Sequence, residues 1–415
     1  VDIAARACSG RAQDLSFRAG HRHARLFIAP GSDGTRTVAA LPPARMKEIP
    51  MSKSFKIALL PGDGIGPEIS VEAVKVLRAL EARHDVAFDI VEGDFGGAAY
   101  FKHGHSFPEE TKALCDSADA IVKGPIGLSF EESKKIPVDE QPERGALLPL
   151  RRRYSTFANF RPVYLPPELA HFSPLKPHVV AGGIDLMMIR ELVGGLYFGK
   201  KETGVNAEGK RFVVEHLEYD EDQIRAILVV AFNEAMGRKK VLHNVHKSNV
   251  LKSSVLWNEV LEEVAVDYPE VEVKHVIVDA AATALVLNPR QFDVMVMENM
   301  FGDILSDLGG GILGSLGLMP SACVGPEKAY YEPSHGSAPD IAGKGIANPY
   351  SMIGSIALML DKSFGMKQAA DEVWTAMRQV FGAGITTADL RDPEGKSKVL
   401  TTSEFGDKVI DALKG

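Results

Sequence analysis

Asp303 and Asp307 stand four residues apart in Glu298-Asn299-Met300-Phe301-Gly302-Asp303-Ile304-Leu305-Ser306-Asp307, directly after an apolar run at 292–297. The run reads as a buried strand and the continuation as a helix. On a helix the two carboxylates project from one face, one above the other. Charges so placed repel unless a counter-charge lies between them, and a divalent cation with oxygen ligands is the simplest one. The other reading is a helix N-terminus whose dipole favours acids. This stretch alone leaves both open.

Other residues carry chemistry of their own. Arg151, Arg152 and Arg153 follow Leu147 and Leu148, and Arg161 comes ten residues after Arg151. Neighbouring arginines on a helix point in different directions, so some face solvent. Arg151 and Arg161 could instead form a fork for a carboxylate, whose geometry a guanidinium matches. The strand read at 241–245 delivers His246-Lys247-Ser248-Asn249, the strand read at 273–278 ends at Asp279, and 292–297 leads to Asp303 and Asp307. Three strands thus end in Lys247, Asp279 and the Asp303/Asp307 helix. Functional groups in open α/β sheets gather at such ends, which raises the metal reading above the dipole reading.

The elements that must position these groups alternate. A strand at 56–60 meets Pro61-Gly62-Asp63-Gly64-Ile65-Gly66-Pro67, and Ile69, Ala73, Leu77 and Leu80 then mark a helical stripe. The glycine spacing is not that of a dinucleotide fingerprint, and no P-loop is present. Further strands at 88–91, 120–122 and 184–189 give a β/α order. The stretch 200–218 is polar and reads as a protruding hairpin or arm, and Ile224, Ile227, Leu228, Ala231, Phe232 and Ala235 mark a helix. Residues 331–349 read as a long loop of small side chains to which a ligand can come close.

The 415 residues carry a net charge of −8 and 45% hydrophobic residues, an ordinary composition for a large multidomain enzyme. That charge argues against a non-specific nucleic-acid binder, and no stretch is long and apolar enough to span a membrane. Cys8, Cys115 and Cys323 are widely spaced and odd in number, which suggests a reducing compartment. Residues 1–50 differ from the rest: seven arginines and one lysine against four acids leave them at +4 and the remainder at −12. An organelle-targeting leader has that bias, but Asp2 and Asp14 spoil a transit helix. The preferred expectation is translated upstream sequence before Met51, outside the fold, in a cytoplasmic protein.

Three motifs then carry a resemblance: Gly62-Asp63-Gly64-Ile65-Gly66-Pro67-Glu68, Phe301-Gly302-Asp303-Ile304-Leu305-Ser306-Asp307, and the segment from His335-Gly336-Ser337-Ala338-Pro339-Asp340-Ile341 to Asn348-Pro349. From about Lys56 onward the chain resembles the metal-dependent, decarboxylating 2-hydroxyacid dehydrogenases, which act on isocitrate, isopropylmalate, homoisocitrate and tartrate. The resemblance implies an α/β, two-domain fold of the isopropylmalate-dehydrogenase type, with a mixed, largely parallel sheet and a non-Rossmann cofactor site. A discontinuous cofactor domain is expected from 51–156 and 315–415. A second domain, 157–314, is expected to hold the substrate and the contacts of a homodimer with shared active sites, its arm at 200–218.

The same resemblance implies NAD and Mg²⁺ or Mn²⁺. It implies metal ligands Asp303 and Asp307 with Asp279 from the other subunit, and carboxylate binding by Arg151, Arg161 and Arg190. Lys247, aided by Asp279, would take the substrate's hydroxyl proton, and Tyr197 would protonate the carbon that loses CO₂. The cofactor would lie on His335, Gly336, Ser337, Ala338, Pro339, Asp340, Ile341 and Asn348, with Ile65, Glu143 and Asn249 lining the rest. Asp340 stands where NAD-using members carry an acid, which would repel the phosphate of NADP. Isocitrate members hold their extra carboxylate with a Ser and an Asn, where this chain has Gly145-Ala146-Leu147-Leu148-Pro149-Leu150. Leu147 and Leu148 therefore imply an aliphatic substituent and 3-isopropylmalate as substrate. His246 is a departure, since isopropylmalate members usually have Asp there. It keeps another 3-alkylmalate, homoisocitrate, tartrate or isocitrate as alternatives. A regulatory subunit without catalysis is the reading from another class, although every catalytic position is filled.

Overall fold

A computed structural model of the chain describes residues 53–390, 392 and 395–415, together with the backbone of two short strands, Asp14–Ser16 and Arg25–Phe27. The chain divides into two compact units, 1–50 and 51–415. Those two short strands pair antiparallel, and the remainder of 1–50, with the expectation of a leader there, lies outside the described residues.

The larger unit is organised on a ten-stranded sheet. Its strands in chain order are β1 (Lys53–Leu60), β2 (Val86–Glu92), β3 (Ala120–Lys123), β4 (Ala158–Leu165), β5 (Ile184–Glu191), β6 (Val241–His246), β7 (Glu272–Ile277), β8 (Val294–Met297), β9 (Pro320–Val324) and β10 (Ala329–Pro333). Across the sheet they lie in the order β7-β6-β8-β5-β4-β9-β10-β3-β1-β2. Six ladders are parallel and the three around β4 and β9 are antiparallel. The sheet is mixed and largely parallel, as expected. One half is drawn from the middle of the chain and the other from its two ends, and they meet where Ala158–Phe160 pair with Ala322–Val324.

Local chemistry sets the ends of the elements. The Gly66–His84 helix starts on Pro67, whose missing N–H would go unpaired there anyway, and buries Ile69, Ala73, Val76, Leu77 and Leu80. Each buried leucine or isoleucine contributes about 1.5–3 kcal/mol. The Glu221–Met236 helix opens with a capping box between Asp220 and Gln223. The 200–218 stretch forms an antiparallel hairpin, Lys201–Val205 with Arg211–Glu215, and every residue of its second strand is exposed. Residues 331–333, read as loop, are instead the end of β10, buried between β9 and β3. No helix of the described residues is long and apolar enough to cross a membrane.

Candidate active site

The helix after β8 spans Asn299–Leu313, and its N-cap is Glu298, whose carboxylate accepts from Phe301 N–H at 3.0 Å and Met300 N–H at 3.2 Å. The dipole end is therefore already served, and Asp303 and Asp307 lie beyond the first turn, where that field has fallen off. What neutralises them is arginine. Arg190 pairs with Asp303, and Arg161 Nη1 lies 3.3 Å from Asp307 Oδ1. The unscreened repulsion expected from spacing alone is thus answered from β5 and β4.

Three arginines converge here from three elements. Arg190, near the end of β5, is 2% exposed; its Nε and Nη2 donate to Asn299 Oδ1 at 3.1 and 2.8 Å. Arg161, on β4, donates to Asn159 Oδ1 at 2.7 Å and Ser306 Oγ at 2.6 Å. Arg151, in the Leu148–Tyr154 helix, donates to the buried Tyr330 hydroxyl at 3.0 Å. Burial, and then the like charges of Arg161 and Arg151, bring Arg190 down to about 10 despite its ion pair. Arginines held against their mutual repulsion make a site for an anion with more than one negative charge. Arg152 and Arg153 are exposed, and Arg153 pairs with Asp116 on the surface.

Asp303 and Asp307 are not equivalent. Burial works to raise Asp303, but Arg190 and Arg161 outweigh it and hold the carboxyl below its ordinary value. Asp307 ends above: burial raises it, Asp303 adds to that, and Arg161 compensates only in part. Tyr197, in the turn after β5, donates to Asp303 Oδ2 at 2.9 Å. Burial and then the Asp303 charge push its hydroxyl up to about 12, so it keeps its proton across the physiological range.

Lys247 and Asp279 form an ion pair with each other, and the carboxyl of the exposed Asp279 is held low by the lysine. The parallel register of β5, β8, β6 and β7 places both at the carboxyl ends of the strands, as Arg190 is. Neither bonds to the arginines, to Tyr197 or to Asp303. Asp279 sits in the first turn of the Val278–Leu287 helix, since β7 ends at Ile277. His246 accepts from Ser248 N–H at 3.2 Å and packs edge-on against His275 at 5.6 Å. Among the described residues no group of three or more His, Cys, Asp or Glu could hold a metal. The fit to a divalent cation is therefore two carboxylates one helical turn apart, partly open at 39% and 58% exposure, with oxygen donors that suit Mg²⁺ or Mn²⁺.

The loop after β10 lies over the first glycine-rich turn. Ile65 N–H donates to the Ser337 carbonyl at 2.9 Å, and Ser337 Oγ to the Gly127 carbonyl at 2.7 Å. A Cβ on Gly64 would stand 2.0 Å from Ser337 O, so only glycine permits this approach, and its φ of +57° favours glycine too. Glu143 is adjacent, because a Cβ on Gly127 would meet Ser337 Oγ at 3.3 Å and Glu143 Oε1 at 3.5 Å. His335 bridges its own Gly336 carbonyl and Ser351 Oγ, each at 2.9 Å, and burial holds its ring low and neutral. Asn348 is tied to Asp389 at 3.1 Å and caps Tyr350 N–H at 3.0 Å. Gly336, Pro339 and Asp340 are exposed, Ala338 and Ile341 half-buried, and Ala338 takes a φ of +43°. Of the residues expected to line the cofactor, Ile65, Ser337 and Glu143 come together, His335 and Asn348 belong to the same loop, and Asn249 does not join them. That residue shares the turn of Lys247, five strands away from β10, or about 24 Å at the usual strand spacing.

Leu147 packs against a buried cluster that includes Phe95, Leu150, Leu192 and Tyr330, the tyrosine that holds Arg151. Leu148 opens the next helix, half-buried. Several residues that shape the site escaped the sequence reading: Asn299, Glu191, Tyr219, Asn159 and Tyr330. Only Asn299 carried a signal, its place inside the motif before Asp303.

Residues 56–409 match the family model described as isocitrate/isopropylmalate dehydrogenase. The chain is 47% identical over 365 residues to a 3-isopropylmalate dehydrogenase of Geobacter sulfurreducens, covering 88% of this chain and all of that protein. It is 49% identical to one of Pseudomonas syringae pv. syringae, covering 87% and 99%. Among solved structures, the isocitrate dehydrogenase of Methylococcus capsulatus superposes with a TM-score of 0.75 at 34% identity, over 87% of this chain and all of that one. With its motifs in order and its arginines gathered on the carboxylates of one helix, the chain belongs to the isocitrate/isopropylmalate dehydrogenase family.

Proposed function

We propose that the protein catalyses the NAD-dependent oxidative decarboxylation of 3-isopropylmalate to 4-methyl-2-oxopentanoate and CO₂, a step of leucine biosynthesis. The observation that carries this reading is the convergence of Arg151, Arg161 and Arg190 on Asp303 and Asp307, with the proton-bearing Tyr197 hydroxyl 2.9 Å from Asp303 Oδ2. A substrate with two carboxylates suits the arginines. Leu147, only half-buried beside the cluster that contains Tyr330, the partner of Arg151, would suit an isopropyl group and strand a third carboxylate. The 47–49% identity to proteins named 3-isopropylmalate dehydrogenase favours this substrate over isocitrate.

The arginines hold the substrate's carboxylates, and Asp303 and Asp307 would hold Mg²⁺ or Mn²⁺, with Asp279 of a second copy completing the set. Bound there, NAD would supply a hydride acceptor for the C2 hydrogen and the divalent cation a Lewis acid. Lys247, oriented by Asp279, takes the hydroxyl proton in its neutral form, having first released its own proton to solvent. CO₂ leaves, its bonding electrons remain on the substrate, and Tyr197 delivers a proton to C3. The exposed Asp340 carboxylate at the open loop would receive the adenosine ribose and repel a 2′-phosphate, which selects NAD.

This division of labour supports a homodimer with shared sites, since the Lys247–Asp279 pair makes no contact with the arginine cluster of its own chain. It also supports a cofactor domain from 51–156 and 315–415 and a substrate and dimer domain from 157–314, the two halves of the sheet. The protein would work in the cytoplasm. A panel of 3-isopropylmalate, isocitrate, homoisocitrate, tartrate and D-malate, each with NAD and NADP in the presence of Mn²⁺, tests the reading. NAD reduction fastest with 3-isopropylmalate is expected, and a faster rate with isocitrate or homoisocitrate would overturn it.

A further inference from the structure

Tyr219 lies outside every motif, yet its hydroxyl joins the segments that carry the reactive groups. It donates to Glu191 Oε2 at 3.0 Å and accepts the Asn299 backbone N–H at 3.0 Å. Glu191 is fully buried, and its carboxylate also accepts from Val193 N–H at 2.7 Å and Gly194 N–H at 2.9 Å, which shapes the turn leading to Tyr197. Asn299 is the first residue of the helix that bears Asp303 and Asp307. Its side chain donates to the Gly194 carbonyl at 3.0 Å and accepts from Arg190.

The ring is fixed as tightly as the hydroxyl. Tyr219 stands edge-on to Trp257 at 5.8 Å, and a Cβ on Gly194 or Gly195 would meet its ring at 2.4 Å or its hydroxyl at 2.6 Å. The turn holding Tyr197 and the helix holding Asp303 are thus drawn to a common point. Without the hydroxyl, Glu191 loses a donor and the Asn299 N–H loses its acceptor.

We infer that Tyr219 is a positioning residue for the reaction, setting the helix of Asp303 and Asp307 against the turn of Tyr197 through Glu191 and Asn299. This rests on the reading of Asp303 and Asp307 as metal ligands and of Tyr197 as proton donor. Outer partners that orient ligands are worth about 10- to 100-fold in metal affinity or activity.

The test is Tyr219→Phe in the full chain. Mn²⁺ alone is titrated and free ion is followed by electron paramagnetic resonance, with thermal midpoint and steady-state kinetics alongside. A folded variant is expected to bind Mn²⁺ about tenfold more weakly and to lose about tenfold in kcat, with KM for NAD within about twofold. A merely structural role would lower the midpoint and leave Mn²⁺ affinity and kcat within about twofold, and that result overturns the inference. If Tyr219→Phe does not fold, Glu191→Gln carries the same test. It keeps the shape, removes the charge, and is expected to weaken Mn²⁺ by about threefold or more, no change again being the refutation. Asp303→Asn, run beside them, separates the two claims. If it binds Mn²⁺ like the unaltered protein, the metal reading has failed and the inference with it; if it loses Mn²⁺ while Tyr219→Phe does not, only the positioning role has failed.

Discussion

Asp303→Asn and Asp307→Asn look like the same experiment in the sequence, and the structure makes them differ in sign. Asp303 is the ion-pair partner of an arginine whose side chain is 2% exposed, and it accepts from Tyr197. Losing the partner of a buried charge costs about 3–5 kcal/mol when both groups are dry. Asp303 is 39% exposed, so solvent screens part of that, and Arg190 keeps its bonds to Asn299. About 1–2 kcal/mol is expected, a drop of a few degrees in midpoint for the metal-free protein. The pH dependence follows: a carboxyl held below its ordinary value contributes stability above the unfolded pKa and loses it as pH falls through the folded one. Asp307 is the reverse. Its carboxyl is raised, so its contribution is present in acid and lost as pH rises, and at pH 7 its charge costs stability in the absence of metal. Asp307→Asn should leave the metal-free midpoint unchanged or slightly higher. With Mn²⁺ at a hundred times its dissociation constant, binding contributes about 2.7 kcal/mol to the unaltered protein, and both variants should lose most of it. Thermal melts at pH 7 with and without Mn²⁺ read all four numbers. Equal shifts of both variants without metal would refute the electrostatic argument, and full Mn²⁺ stabilisation in either would refute the ligand assignment.

Three further changes probe other parts of the site. Leu147→Ser should lower kcat/KM for 3-isopropylmalate by about 1–3 kcal/mol, or 10- to 200-fold, while D-malate, which has no substituent to lose contact, stays nearly unaffected in the same assay. Tyr197→Phe should lower the rate of product formation by about 10²–10⁴-fold, the usual worth of a positioned general acid, with a far-ultraviolet spectrum like that of the unaltered protein. Glu191 is pushed up to about 7, first by burial, so its stabilising contribution is present in acid and lost as pH rises from its unfolded value toward 7. Glu191→Gln should flatten that part of the midpoint-against-pH curve, and an unchanged slope would show that Glu191 does not titrate in that range.

The sequence made parts of this fold legible where apolar residues are buried. β8 is wholly apolar and buried, β1 ends in the buried run 57–60, and β6 sets His243 and Asn244 between buried aliphatic residues; each was found within a few residues of its observed ends. β4 was not, because Asn159, Arg161 and Pro162 interrupt it. Pro162 is tolerated there because β9 pairs only with Ala158–Phe160, which leaves one side of the strand free of a ladder beyond that point. β9 and β10 are short and carry Ser321, Glu332 and two prolines, which read as loop until their neighbours are known. The site divides in the same way. Asp303, Asp307, Lys247 and Asp279 stood out in the sequence because each follows the end of a strand, where functional groups gather. Glu191 and Tyr219 act through bonds between distant segments, and nothing local marks a tyrosine in a polar stretch as the acceptor of a helix's first N–H.

The charges of the cluster argue that cation and substrate enter together. Arg151, Arg161 and Arg190 against Asp303 and Asp307 leave one positive charge in a largely buried setting. A divalent cation alone would add two positive charges beside three guanidinium groups. A dicarboxylate alone would bring its charge beside Asp307, whose ionised form is already disfavoured by burial and by Asp303. Entering together, a doubly charged cation and a doubly charged anion leave the net charge as it was, and each relieves what the other would meet. The ion relieves Asp307, and the carboxylates offset the burial and then the like charges that lower Arg190. By linkage, whatever factor the cation contributes to substrate affinity, the substrate returns to the cation. On this reading the open second carboxylate and the crowded arginines are one device, and neither half has its full affinity until the other ligand is present.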